Sequence, residues 1–205
     1  MKAVGLLLAA GRGTRFDASG ALDKLLADVG GVPLAIAAAR RLRDACGDCL
    51  AVLRPGSEHL AALLAGEGIE TIECADAHLG MGHSLACAAR HLLEQHPGGD
   101  GSGDGAAVAV LVALADMPHI APSTYQTLLA RLRTADDIIV PRHEGRRGHP
   151  VLFGAHHLRA LAGLTGDRGA SGLLQTQPVT WVDVDDAGIL LDIDRPSDLR
   201  GAASR

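Results

Sequence analysis

Ala3-Val4-Gly5-Leu6-Leu7-Leu8-Ala9-Ala10-Gly11-Arg12-Gly13-Thr14-Arg15 opens with eight uncharged residues and breaks at once into a glycine turn flanked by arginines. A short apolar run ending in glycine reads as a buried strand feeding a tight turn, the opening unit of an α/β chain. Lys24 follows nine residues after Arg15. Strand, glycine turn, two arginines and a lysine together present backbone N–H groups and positive charge to a polyphosphate. Arginine supplies a planar fork for bidentate phosphate contact, and lysine a mobile point charge.

The turn is neither of two better-known phosphate loops. No G-x-x-x-x-G-K-[ST] spacing follows Gly11, and the sixth position of a G-x-G-x-x-G fingerprint is Phe16. Farther along, apolar runs alternate with helix-like segments, which predicts a mostly parallel central sheet with helices on both faces. Strands are expected near 3–10, 49–54, 69–74, 107–113, 137–141 and 179–184, with a short one near 189–193. Helices are expected near 33–45, 57–66, 83–95, 122–133, 155–163 and 168–175. Pro33 and Pro122 sit at helix starts, where a missing N–H is harmless. Residues 97–105 (PGGDGSGDG) read as a flexible Gly-rich surface loop within one domain spanning 1–205.

Composition narrows the function. The net charge of −5 argues against a nucleic-acid groove, and with aromatics at 2% there is no stacking platform for single strands. The apolar runs Ala3–Ala10 and Ala106–Ala115 are too short to span a bilayer, and no secretory pattern precedes the first strand, so a cytoplasmic protein is expected. Four cysteines include Cys46-x-x-Cys49, but without a second tight pair they read as small buried hydrophobes rather than a zinc site.

In parallel sheets, ligands bind beyond the carboxyl ends of the strands, and polar residues there form a coherent set. Asp116 follows the 107–113 strand in Leu114-Ala115-Asp116-Met117-Pro118, a place from which a carboxylate can hold Mg²⁺ against a triphosphate. Leu191-Asp192-Ile193-Asp194-Arg195-Pro196 repeats the arrangement. Asp192 and Asp194 share one strand face, and Asp194 is favoured as the second ligand, although it could instead cap a helix begun by Pro196. Gly80-Met81-Gly82-His83-Ser84 opens a helix with another anion- or base-binding turn. Gly145-Arg146-Arg147-Gly148-His149-Pro150 and Gly166-Asp167-Arg168-Gly169-Ala170-Ser171 are glycine-bounded loops suited to a second anionic substrate.

Taken in order, Ala9-Ala10-Gly11-Arg12-Gly13-Thr14-Arg15, Lys24-Leu25-Leu26, Gly80 to Leu85, Ala115 to Pro118, Arg147 to Val151, Gly166 to Ala170 and Asp192 to Pro196 resemble the molybdenum cofactor nucleotidyltransferases, and most of all their cytidylyltransferase branch. The resemblance implies a Rossmann-like three-layer nucleotidyltransferase fold. It implies CMP transfer from CTP to the terminal phosphate of molybdopterin-bound molybdenum, with Mg²⁺ as cofactor. Arg15, Lys24 and Asp116 would be catalytic, with Asp116 and Asp194 on the metal. Ala9, Ala10, Gly11, Arg12, Gly13, Gly82 and Ser84 would bind the nucleotide, and Arg147, His149 and Arg168 the acceptor. Transient contact with a molybdenum hydroxylase or its chaperone follows from the same resemblance. The pattern departs from the family where Asp17 to Asp23 intervene before Lys24, and where Ser171 stands in place of an arginine. Competing readings are a sugar or alditol phosphate acceptor, a molybdenum cofactor chaperone without catalysis, and an NAD(P)-dependent oxidoreductase with Arg54 on a 2′-phosphate.

Overall fold

The computed structural model describes residues 1–11, 13, 15–17, 23–103 and 105–202, the side chains of 200–202 excepted. Eight strands form one mixed sheet: β1 (Lys2–Ala9), β2 (Cys49–Leu53), β3 (Glu70–Glu73), β4 (Val108–Leu114), β5 (Ile138–His143), β6 (Arg146–Arg147), β7 (Val151–Phe153) and β8 (Thr180–Asp183). Their order is β3-β2-β1-β4-β7-β5-β6, with β8 on β5. The first four run parallel, β7 is antiparallel to β4 and β5, and β8 is parallel to β5. The helices are α1 (Leu34–Cys46), α2 (Glu58–Gly66), α3 (Met81–Gln95), α4 (Pro122–Leu129), α5 (Leu158–Ala162), α6 (Ser171–Thr176) and α7 (Pro196–Ala202). None is long and apolar enough to cross a membrane.

The two faces of the sheet follow from the period of two in its strands. Leu7 and Ala9 of β1, with Ala109, Leu111 and Ala113 of β4, join α1, α2 and α4 in one core. Val4, Leu6 and Leu8, with Val108, Val110 and Val112, join α3 and α5 in the other. Helix α1 forms because apolar residues recur at 34, 35, 38, 39 and 42, and it stops at Gly47, whose φ of 81° leaves the helical region. Its Leu42 lies directly over Gly5, where a Cβ would come within 2.6 Å of Leu42 Cγ. A side chain of the helix therefore rests directly on the strand backbone.

Several expected elements are corrected. The segment 189–193 is not a strand: Ala187–Leu190 is a 3₁₀ turn capped by Asp186, whose carboxylate accepts from Gly188 N, Ala121 N and Thr124 Oγ1. Its neighbouring backbone bonds run to other loops, with Ile193 N donating to Asp116 O and Ile189 O accepting from His149 N. Helix α4 stops at Leu129, four residues before the expected end, and 155–163 divides into a 3₁₀ turn (Ala155–His157) and α5. Residues 97–105 are anchored in their described part. Asp100 is buried, pairs with Arg159, and accepts from Ser102 Oγ at 2.6 Å and Ser102 N at 3.1 Å.

Gly5→Val should lower stability by about 1–3 kcal/mol, because the added methyls must displace Leu42. Thermal denaturation would show a fall of several degrees; an unchanged midpoint would mean that α1 does not rest on β1 at this position.

Candidate functional site

The carboxyl ends of β1, β2 and β4 lie side by side, so the segments leaving them converge. Lys24 comes in on the 3₁₀ turn Lys24–Leu26, which Asp23 caps by accepting from Leu25 N at 3.0 Å. Its side chain is nearly inaccessible, yet Nζ donates to Asp116 Oδ2 at 2.7 Å and to Asp194 Oδ1 at 3.1 Å. Asp116 reaches the point from the end of β4. Asp194 reaches it from the chain that crosses the sheet edge after Leu190, held there by the Ile193–Asp116 backbone bond at 2.9 Å. Arg15, largely exposed, pairs with the other oxygen of Asp194.

Burial alone would lower the Lys24 pKa, but its hydrogen bonds and the charges of Asp116 and Asp194 outweigh that and raise it above the ordinary lysine value. The group is an ammonium throughout the neutral range. Asp192 stands outside the ion-paired set: burial, with the negative charges of Asp194 and Asp116, holds its carboxyl above the usual range. Residues 191–194 lie outside any strand, so the shared strand face expected for Asp192 and Asp194 is absent. The capping role open to Asp194 belongs to Asp198, whose Oδ2 accepts from Asp194 N and Arg195 N at the start of α7.

Two adjoining clefts flank this cluster. The first, about 350 Å³, is lined by Ala10, Gly11, Lys24, Ser84, Leu114 and Asp116 among others. The second, about 360 Å³, has an apolar floor of Leu85, Val112, Val151, Phe153 and Leu174, with Arg147, His149, Arg168 and Ser171 at its polar side. Leu8, Met81 and Asp167 line both. Each has the size of a small-molecule pocket. Burial, with the Arg147 charge, pushes the His149 pKa down against the opposing effects of a backbone hydrogen bond to Val112 and the Asp116 charge, so the imidazole is neutral at pH 7.

The structure brings together Ala10, Gly11, Lys24, Ser84 and Asp116 around the first cleft, with Asp194 joined to Lys24 and Arg15 joined to Asp194 by ion pairs, and Arg147, His149 and Arg168 around the second. Two expected nucleotide contacts have other work. Ala9 faces the α1 core. Gly82 lets its turn lie against 165–166: its N–H donates to Gly166 O at 2.8 Å, and a Cβ there would meet Thr165 O at 2.6 Å. Gly13, at φ 62°, packs on Lys24, where a Cβ would come 3.0 Å from Lys24 Cβ. Arg12 lies outside the described residues. Arg54 is engaged with Gly11 O at 2.7 Å and Asp23 Oδ2 at 2.8 Å, so a 2′-phosphate would have to displace these partners. Met81 and Asp167, which separate the clefts, carried no signal beyond lying inside motifs chosen for their glycines.

The donors suit a hard divalent cation. Asp116 Oδ1 is buried and takes no hydrogen bond, leaving an oxygen lone pair without a partner beside the Lys24 cluster. Among the described residues no three His, Cys, Asp or Glu side chains could hold a metal by themselves. A cation shared between two carboxylates and a ligand's phosphate oxygens fits that set.

Residues 5–181 match the MobA-like NTP transferase domain. Across 99% of this chain and 98% of the other, the structure is similar to Rv0371c of Mycobacterium tuberculosis H37Rv crystallised with manganese, with 26% identity and a TM-score of 0.77. It shares its fold with a nucleotidyl transferase from Methanothermobacter thermautotroptrophicus at 20% identity and TM-score 0.78, covering 98% and 96% of the two chains. Over 130 residues it is 30% identical to the bifunctional protein GlmU of Geotalea daltonii, a match that takes in 62% of this chain and 25% of that protein.

Because the Lys24 ammonium stands between Asp116 and Asp194, Lys24→Met should leave Asp116 uncompensated and Asp194 paired with the exposed Arg15. Mn²⁺ binding without nucleotide, followed by electron paramagnetic resonance, is expected to tighten at least fivefold, and added Mn²⁺ to raise the melting point of the variant more than that of the wild type. Equal Mn²⁺ affinity in the two proteins would separate these carboxylates from any cation site.

Proposed function

We propose that this chain, which belongs to the MobA-like NTP transferase family and is a nucleotidyltransferase, moves CMP from CTP onto the terminal phosphate of molybdopterin-bound molybdenum, with Mg²⁺ as its cation. The observation that carries the reading is the second cleft. Its apolar floor, with Phe153 and Val151, suits a flat heterocycle, and Arg147 and Arg168 at its edge suit that molecule's phosphate.

In this reading the nucleotide lies in the first cleft, its base against Ala10 and Gly11 and near Ser84. Lys24 and Arg15 hold the β- and γ-phosphates. An oxygen of the acceptor phosphate attacks the α-phosphorus in line. A new P–O bond forms, the bond from the α-phosphorus to its bridging oxygen breaks, and that electron pair leaves on pyrophosphate. Such a transfer asks for positioning and charge neutralisation rather than a protein nucleophile. Asp116 and Asp194 would hold Mg²⁺, which supplies charge neutralisation on phosphate oxygens when bound. Lys24 exchanges carboxylate partners for phosphate partners as the nucleotide arrives. His149, kept neutral, adds no charge to the acceptor cleft.

A second reading, an alditol phosphate acceptor, draws on the fold shared at 12% identity with a 4-diphosphocytidyl-2C-methyl-D-erythritol synthase from Anaerococcus prevotii, TM-score 0.72. The apolar floor of the second cleft offers a polyol few hydrogen-bond partners, which favours the first reading.

Pyrophosphate release from CTP and GTP, with Mg²⁺ and with or without molybdenum cofactor, tests the proposal. Release is expected to need the cofactor and to prefer CTP; release driven instead by an alditol phosphate would move the acceptor to the second reading. Asp116→Asn is expected to abolish transfer while leaving the fold intact, and Lys24→Ala to slow it at least tenfold. Wild-type turnover in either variant would remove that residue from the reaction.

A further inference from the structure

Arg54 comes immediately after β2 and has no part in the transfer as written, yet its guanidinium joins the two ends of the segment that carries the arginines. One nitrogen, Nη1, donates to Gly11 O at 2.7 Å, where the chain has just left β1. The other, Nη2, donates to Asp23 Oδ2 at 2.8 Å, where the chain is about to deliver Lys24. The second oxygen of that carboxylate, Asp23 Oδ1, accepts from Leu25 N and so caps the turn bearing Lys24.

We infer that Arg54 is a positioning residue for triphosphate binding: it clasps Gly11 to Asp23, fixes the turn from which Lys24 projects, and cancels the Asp23 charge beside the phosphate subsite. The inference rests on the nucleotidyltransferase reading and adds a residue to it. Two physical effects point the same way. Gly11 and Asp23 lie twelve positions apart in sequence, and a contact that joins them lowers the entropy cost of bringing both to one nucleotide. An unpaired Asp23 carboxylate would also repel the approaching polyphosphate. The planar fork offers a separate nitrogen to the carbonyl and to the carboxylate.

The test is CTP affinity in the presence of Mg²⁺ by titration calorimetry, together with steady-state pyrophosphate release. Arg54→Met is expected to weaken CTP binding and raise its KM at least tenfold, with kcat at saturating CTP and the KM for the acceptor changed less than threefold. Millimolar guanidinium chloride should recover a substantial part of the affinity, a rescue that a general loss of structure would not show. Asp23→Ala breaks the clasp but also removes the repelling carboxylate, so it should weaken CTP binding in the same direction and by less than Arg54→Met. The double variant should bind no worse than the weaker single one, because both break the same clasp. Arg54→Lys carries the test if Arg54→Met does not fold, with an expected KM rise of at least threefold. Unchanged CTP affinity in a folded Arg54 variant, or fully additive losses in the double variant, would overturn the role of Arg54 alone. Wild-type protein that binds no nucleoside triphosphate would overturn both this role and the reaction on which it rests.

Discussion

A buried ammonium is held between two carboxylates that come from positions 92 and 170 residues away along the chain. Most of the architecture can be understood as what that contact requires. Desolvating Lys24 is unfavourable, and only partners at hydrogen-bond distance offset it. For Asp116 to be one of them, β4 must lie beside β1 and end level with it, as the parallel register from Lys2–Val108 to Leu8–Leu114 ensures. For Asp194 to be the other, the chain must return across the sheet edge after β8. Asp186 fixes the start of that crossing on α4, and Asp198 fixes its end on α7. With Arg15 on Asp194, two positive charges meet two negative ones, which leaves Asp192 as the nearby carboxyl held above its ordinary range.

Small residues allow these segments to approach. Gly80, at φ 124°, and Gly82 lay their turn on the 165–167 loop, where a side chain on Gly80 would meet Gly166 O at 2.6 Å. Gly169 in turn makes room for Met81, whose sulfur would stand 2.9 Å from a Cβ there. Two glycine-rich motifs far apart in sequence thus form one wall, and Met81 and Asp167 on that wall divide the two clefts. Bulky anchors are few in this chain, so backbone contact does much of what large side chains do elsewhere.

Six of the strands and the two-sided layering were legible, β1, β2, β4 and β5 because apolar runs leave one buried answer, and the shorter, more exposed β3 and β8 from their place in the alternation with helix-like segments. Strands β6 and β7 were not, since two and three residues carry no period. Ile189-Leu190-Leu191 looked like a strand from hydropathy alone. Its actual conformation depends on Asp186 and on partners at Asp116 and His149 that only the tertiary structure supplies. The candidate residues were legible by type, because arginine, lysine and aspartate at strand ends have few structural uses. Their division of labour was less legible. Gly82 was read as part of an anion- or base-binding turn at a helix start; the structure adds that this turn lies against Thr165 and Gly166. Asp194 was read as a ligand or a helix cap, and at the start of α7 it is the carboxylate of Asp198, four residues farther on, that accepts from the Asp194 and Arg195 N–H groups.

Charge also orders the events of the proposed reaction. In the resting arrangement Lys24 satisfies both carboxylates, so a divalent cation arriving alone must compete with a buried ammonium at hydrogen-bond distance. A triphosphate arriving alone would draw Lys24 away and leave Asp116 and Asp194 bare beside further negative charge. In the proposed reaction, when both arrive, Lys24 would pass from carboxylate to phosphate while Asp116 and Asp194 would hold the cation, and no group would be left uncompensated at the end of the exchange. Each ligand therefore removes the penalty that the other would meet, which is the condition for strong positive coupling between them. The coupling needs no second conformation of the sheet. It needs only that one side chain has two alternative sets of partners within reach, and in the proposed reaction Lys24, with Gly13 against its stem and Asp23 capping its turn, would be that side chain.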